Sequence, residues 1–243
     1  MAVAVRAVTF DYWNTLCRAR PAAALARRKA AWRAVAVERR LPVAGEVLDT
    51  VLDHVTALHH EGWTAGVQFT MDHALEAAGE LLAEVLGPGD LEALRTAWMD
   101  ASDRADVSLT PHCAAVLDAL RARGVRIGIV CDVGLTPSVL LRAFLEHHEI
   151  LSRFDHWSFS DEVGVYKPDV AIFRHALAGL GAEPHEALHI GDIRRTDIAG
   201  ARAAGMHAVR YRGVADDDDD TVADAATVLD DLRDLVGVLD QLG

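Results

Sequence analysis

The sequence predicts an α/β protein, a doubly wound parallel sheet with an inserted all-helical domain. Three observations lead to it. A short valine-rich run, Val3 to Phe10, stands alone near the N-terminus. From Ala22 to Ala105 the apolar residues recur three and four apart, as they do on helices. Beyond residue 106, strand-like runs alternate with helix-like segments, the pattern of a parallel sheet covered on both faces.

Each element has its own signal. Val3 to Phe10 ends on a polar turn, as a buried strand does. In the helical stretch, Val47, Leu48, Val51, Leu52, Val55 and Leu58 make one apolar stripe, and Leu75, Leu81, Leu82 and Val85 another. Breaks are expected at Leu41-Pro42, Gly62 and Gly87-Pro88-Gly89, with Asp90 capping the helix that follows. Thr110-Pro111 offers an N-cap and a first-turn proline for a helix that stops at Gly124. A strand over 125–131, a helix over 137–147, a strand over 154–159 and a helix over 169–180 come next. The alternation continues with strand 187–190, helix 197–204 and strand 208–211, and 225–242 reads as a closing helix. The tract Asp216 to Asp220 reads as a solvated loop. The predicted domains are residues 1–16 with 106–243 for the α/β core and 17–105 for the insertion.

Composition narrows the partners. The 24 basic residues against 37 acidic ones give a formal charge of -13, which argues against a nucleic-acid groove or an anionic membrane surface. A small-molecule ligand is expected instead. The three cysteines, Cys17, Cys113 and Cys131, lack the spacing of a zinc or redox motif and suggest a reducing compartment. Without a membrane-length apolar stretch or a secretory leader pattern, the expectation is a cytoplasmic protein. The amphipathic helices of the insertion could serve a homodimer. The histidine pairs His59-His60 and His147-His148 are helix neighbours that point apart, and they read as surface residues.

In an open parallel sheet, ligands bind beyond the carboxyl ends of the strands. Asp11 follows the first strand, Cys131-Asp132 the second, Tyr166-Lys167-Pro168 opens the helix after the third, and Gly191-Asp192 follows the fourth, with Asp197 close behind. Taken singly, the aspartates could cap helices or hold turns, and Lys167 could be a surface cation. Together they converge on one sheet edge. Only Lys29 and Lys167 among the 24 basic residues are lysine, so this chain uses arginine wherever a generic positive charge suffices. Lys167 therefore reads as a position that needs a compact ammonium.

Four segments, FDYWNTL, GIVCD, VYKPD followed by Ile172-Phe173, and HIGDIRRTDIAGARAAGM, resemble in order and spacing the motifs of the haloacid dehalogenase-like (HAD) hydrolase superfamily. The resemblance implies a Rossmann-like core and identifies the helical insertion with that family's C1-type cap. It makes Asp11 the nucleophile, which forms a covalent aspartyl intermediate. Lys167 would hold the nucleophile and the transferred group. Asp11, the Trp13 backbone carbonyl and Asp192 would bind Mg2+, with Asp197 in or near the same shell. Cys131, Asp132 and Trp13 would face the substrate. The implied activity is Mg2+-dependent hydrolysis of a small phosphorylated metabolite.

Two positions depart from the family's pattern. Its phosphatases carry a second aspartate, acting as general acid, where this chain has Trp13, and they carry Ser or Thr where it has Cys131. Loss of a general acid costs about 10²- to 10⁴-fold, least for leaving groups that depart unprotonated. Asp132, next to Cys131, is the nearest candidate in sequence to replace it. Dehalogenases of the family also lack the second aspartate, but they typically lack the metal aspartate that this chain keeps as Asp192. Phosphonate-cleaving relatives use an insertion lysine, for which Lys29 is the only candidate. The alternatives that remain are dehalogenation at carbon, or a binding protein that uses the same site without turnover.

Overall fold

The computed structural model describes residues 4–243; Val3, where the first predicted strand begins, lies outside the described residues. The chain forms two compact units. One comprises the chain up to Ala19 with Ser108–Asp132 and Arg142–Gly243, and the other comprises Arg20–Val107 with Val133–Leu141.

The first unit is built on a six-stranded, all-parallel sheet. Its strands are β1 (Ala7–Phe10), β2 (Arg126–Cys131), β3 (His156–Phe159), β4 (Ala187–Gly191), β5 (His207–Tyr211) and β6 (Thr227–Leu229). They lie in the order 3-2-1-4-5-6. Central β1 pairs with β2 through Ala7 to Arg126 and with β4 through Ala7 to Ala187, and all four of its residues are buried. A strand paired on both edges and covered on both faces has no polar side to show, which is why AVTF carries no alternation. The helix Val170–Leu180 packs Ile172, Phe173, Ala176 and Leu177 into a cluster with Val130 and Ala201.

The second unit holds α1 (Pro21–Arg39), α2 (Gly45–Ala65), α3 (Met71–Leu81) and α4 (Asp90–Asp100). The helices of the first unit's part of the chain follow as α5 (Cys113–Ala122), α6 (Ser138–His147), α7 (Ser160–Val163), α8 (Val170–Leu180), α9 (Ala199–Ala203) and α10 (Leu235–Leu242), although α6 begins within Val133–Leu141. The second unit's core gathers Trp32, Leu48, Leu52, Val55, Leu75, Leu94 and Trp98. Trp32 and Trp98 meet edge to face at 5.7 Å, and Trp32 Nε1 donates to the Leu94 carbonyl at 3.0 Å. Among the described residues no helix is long and apolar enough to cross a membrane.

Several local expectations are corrected. Gly62 does not break α2; the helix runs to Ala65 and is capped by Gly66 at φ +70°. A Cβ on Gly62 would meet the Val67 carbonyl at 3.0 Å, so the glycine admits the returning chain. Asp90 is the first residue of α4, and Gly89 caps it; the Asp90 carboxylate accepts the Gly87 amide and pairs with Arg39. Thr110 does not cap α5. Its hydroxyl donates to the Thr15 carbonyl at 2.7 Å, and His112 in the left-handed region precedes the helix. The segment from Ala225 is not one helix, since Thr227–Leu229 adds the sixth strand before α10. Asp197 lies in a π-helical turn, Arg194–Ile198, which leads into α9. The acidic tract is an exposed loop with two anchors: Asp216 pairs with buried Arg210 at 2.5 Å, and Asp217 accepts the Arg194 amide at 2.7 Å.

Leu52 is fully buried in the helical core. Leu52→Ala is expected to destabilise the protein by about 2–5 kcal/mol, measured as a lower urea midpoint.

Candidate active site

The winding of the sheet reverses at β1, and in such sheets the ligand site lies among the loops at the carboxyl ends of the strands beside the reversal. Asp11 follows β1, Cys131 ends β2 with Asp132 next, and Gly191 ends β4 with Asp192 next. Lys167 reaches this edge from the loop before α8. Its ammonium donates to Asp11 Oδ1 at 2.5 Å and to Asp197 Oδ1 at 2.6 Å. Lys167, Asp11 and Asp197 are at most 5% exposed, so these charges meet away from water.

Asp197 is the most heavily held of the carboxylates. Besides Lys167, it has His189 Nε2 at 3.1 Å from Oδ1 and accepts the Ile193 amide on Oδ2 at 2.9 Å. Burial pushes its pKa up, but the Lys167 charge and the His189 hydrogen bond outweigh this and hold it well below the usual carboxylate range. Burial lowers the pKa of His189, so the ring is neutral at pH 7. Facing an ionised Asp197, Nε2 carries the ring hydrogen, and Nδ1 accepts from the Thr9 hydroxyl at 2.9 Å. A Cβ on Gly191 would stand 2.2 Å from Asp197 Cγ, so only glycine lets the π-helical turn bring this carboxylate home.

Asp11 and Asp192 are in the opposite condition. Burial raises Asp11 to about 7, against the opposing effect of Lys167. Burial, then the charges of Asp11 and Asp197, raise Asp192 to about 8. Asp11, Asp192 and Asp197 each offer an oxygen within 4.8 Å of the others. One ammonium thus serves three buried carboxylates. A set of hard oxygen donors with unbalanced negative charge fits a divalent cation such as Mg2+.

The turn after Asp11 is tight. The Tyr12 carbonyl accepts the Leu16 and Cys17 amides, and Asn14 takes a left-handed φ of 58°. Asn14 Nδ2 donates to Asp192 Oδ2 at 3.2 Å, which ties the first motif to the fourth. Trp13 is half-buried, its ring edge-on to Tyr12 at 4.7 Å. Cys131 is fully buried, and burial, followed by the Asp11 charge, pushes its thiol well up. Asp132 Oδ1 accepts the backbone amide of Lys167 at 2.9 Å. It therefore fixes the segment that carries the ammonium, and that oxygen is not left to protonate a leaving group. In the helical unit Lys29 is paired with Asp53 at 2.6 Å.

The structure brings Asp11, Lys167, Asp192 and Asp197 into direct contact or near-contact, with Cys131, Asp132 and Trp13 on the same loops. Sequence reasoning missed Thr9, Asn14 and His189. A signal for His189 was present, because a histidine flanked by apolar residues in the β4 run ALHIG must be satisfied inside the sheet.

A parallel sheet of this winding, with clustered carboxylates and one lysine at its carboxyl edge, is the arrangement that the family comparison meets. The family described as haloacid dehalogenase-like hydrolase matches residues 5–205, and the chain belongs to it. Among curated relatives, a phosphoserine phosphatase of Thermus thermophilus is 35% identical over 136 residues, covering 55% of this chain and 52% of that protein. A glyceraldehyde 3-phosphate phosphatase of Methanopyrus kandleri is 34% identical over 142 residues, covering 54% and 57%. The chain thus spans about half the length of the curated relatives it matches. Among solved structures, a 2-haloacid dehalogenase from Pseudomonas syringae superposes with a TM-score of 0.68 at 22% identity, covering 98% of this chain and 100% of that one. A HAD phosphatase from Thermococcus onnurineus gives 0.67 at 23%, covering 97% and 98%. At such identity these two share the fold.

His189→Leu leaves the ionised Asp197 short of one donor and is expected to cost about 1–3 kcal/mol of stability. His189→Gln, which keeps an N–H near the Nε2 position, should recover most of it in the same urea titration.

Proposed function

We propose that this chain is a Mg2+-dependent phosphatase of small phosphorylated metabolites, working through an aspartyl-phosphate on Asp11. The observation that carries the reading is the charge balance: three buried carboxylates share one ammonium, and two of them have raised pKa values. A nucleophilic carboxylate must be ionised, and a phosphate dianion must approach it. The relatives named as phosphatases of phosphoserine and glyceraldehyde 3-phosphate support phosphate monoesters as the substrate class.

The residues divide the work. Asp11 attacks phosphorus, and the Lys167 ammonium draws the transferring oxygens towards it. Asp197, fixed by His189, Ile193 and Gly191, holds that ammonium in place. Asp132 holds the Lys167 backbone. Asp11, Asp192 and the Trp13 carbonyl would hold Mg2+, with Asp197 behind them occupied by its three donors. When bound, Mg2+ offsets the negative charge that the carboxylates and the phosphate bring together. The Cys131 thiol is a weak donor to a phosphoryl oxygen. Residues 17–105 are read as a C1-type cap.

Trp13 leaves the position of the general acid apolar. The rate is therefore expected to depend steeply on the leaving group, with 4-nitrophenyl phosphate turned over about 10²-fold or more faster than an alkyl phosphate. Phosphate release from 4-nitrophenyl phosphate should need Mg2+ and vanish in Asp11→Asn. Turnover of 2-chloropropionate without metal, and none of the ester, would instead establish dehalogenation. Binding of phosphate analogues with no turnover of either would leave a binding protein.

The raised carboxylates also predict a pH dependence. Asp11 and Asp192 bind protons more tightly in the fold than in the unfolded chain, so the metal-free protein loses stability as pH rises from about 4 through about 8. Mg2+ binds their ionised forms. It should raise the melting temperature more at pH 8 than at pH 6, and Asp192→Asn should remove most of the rise.

A further inference from the structure

The cations of α1 are paired almost one by one. Arg27 meets Asp106, Lys29 meets Asp53, Arg33 meets Asp49 and Arg39 meets Asp90. Arg28 is the exception. It is half-buried, and among the described residues no carboxylate lies within 4.0 Å of it. The chain has acids to spare, 37 against 24 basic residues, so the missing partner is not a shortage of carboxylates.

Neutral groups surround this guanidinium. Nη2 donates to the Leu135 carbonyl at 3.3 Å and to the Thr136 hydroxyl at 3.0 Å. The guanidinium carbon lies 4.9 Å over the Trp98 ring, and Trp98 Nε1 donates to the same Leu135 carbonyl at 3.3 Å. The groups that bear on it electrostatically add no negative charge. Burial, with Arg27 beside it, lowers Arg28 to about 10. Burial, then His60 and Arg28, lowers His59 to about 4, so His59 is neutral at pH 7. All these residues belong to the helical unit.

A guanidinium partly withdrawn from water without an anion carries a cost, and carbonyl acceptors and an aromatic face offset only part of it. Nε and Nη1 have no protein acceptor among the described residues, which leaves part of the planar fork for a ligand. We propose that Arg28, with the Thr136 hydroxyl and the Trp98 face, is an anion-binding site of the helical unit that takes a carboxylate or phosphate group. The ligand is a separate small anion, and the site does not depend on the phosphatase reading.

One measurement on the whole protein tests this. Sodium sulfate at constant ionic strength raises the wild-type melting temperature by about 2–4 °C with saturation, and Arg28→Gln abolishes the rise. If Arg28→Gln fails to fold by circular dichroism, Arg28→Lys, which keeps the charge and loses the fork, is read in the same way. The proposal is overturned if the wild type shows no saturable rise or if the folded variant keeps it.

Discussion

The Lys167 ammonium, shared between Asp11 and Asp197, is the contact on which the site depends, and the surrounding structure is arranged to keep it in place. Two oxygens, 2.5 and 2.6 Å away, flank a single nitrogen. A compact ammonium on a flexible stem fits between them, whereas a planar fork would push them apart. That explains why a chain with 22 arginines and two lysines has a lysine here. Asp132 fixes the backbone of Lys167, His189 and Ile193 fix Asp197, and Thr9 fixes His189. The network therefore runs from the middle of β1 back to the end of β1, through β4 and the loop before α8.

The sharing is unequal, and the inequality assigns roles. Asp197 receives three donors and is held ionised, while Asp11 receives the ammonium on one oxygen and Asp192 receives only the Asn14 amide. Asp197 thus acts as a fixed counter-charge that orients Lys167. Asp11, which also takes a Tyr12 backbone hydrogen bond, and Asp192 are less fully held, and burial raises both their pKa values in a cluster short of positive charge. Such an imbalance persists where a ligand supplies the missing charge, and it is a usual mark of a functional site rather than of a stability device.

Much of this was legible in the sequence because both the strands and the chemistry leave local signals. The core strands β1, β2 and β4 are apolar runs, and the residues that follow them, Asp11, Asp132 and Asp192, stand where an apolar run stops. What was missed lacks a local signal or carries a misleading one. Thr227–Leu229 is three residues long, and with the leucines beyond it the spacing imitates a helix, so only its pairing with β5 makes it a strand. Gly62 looks like a break because glycine is a poor helix former, but a tertiary approach by Val67 decides its use. Asn14 acts across the fold on Asp192, 178 residues away, and Thr9 acts on His189, 180 residues away, which no spacing within the chain reveals. His59, read as a surface residue, is half-buried in the helical unit.

Arg28 was invisible in the sequence for a related reason. In ARRKAAWR it is one cation among several, and what sets it apart is that no carboxylate among the described residues pairs with it, which only the folded helical unit shows. The two units carry opposite local imbalances: carboxylates in excess at the end of β1, and a guanidinium without an anion beside Trp98. Either could have been removed by one substitution, a neutral residue at Arg28 or an amide at Asp192. Substitutions that relieve buried charge are among the easier stabilising changes, and their characteristic penalty is lost function. Two such features kept in one chain, of opposite sign, are what a protein that binds an anionic molecule together with a cation would be expected to retain.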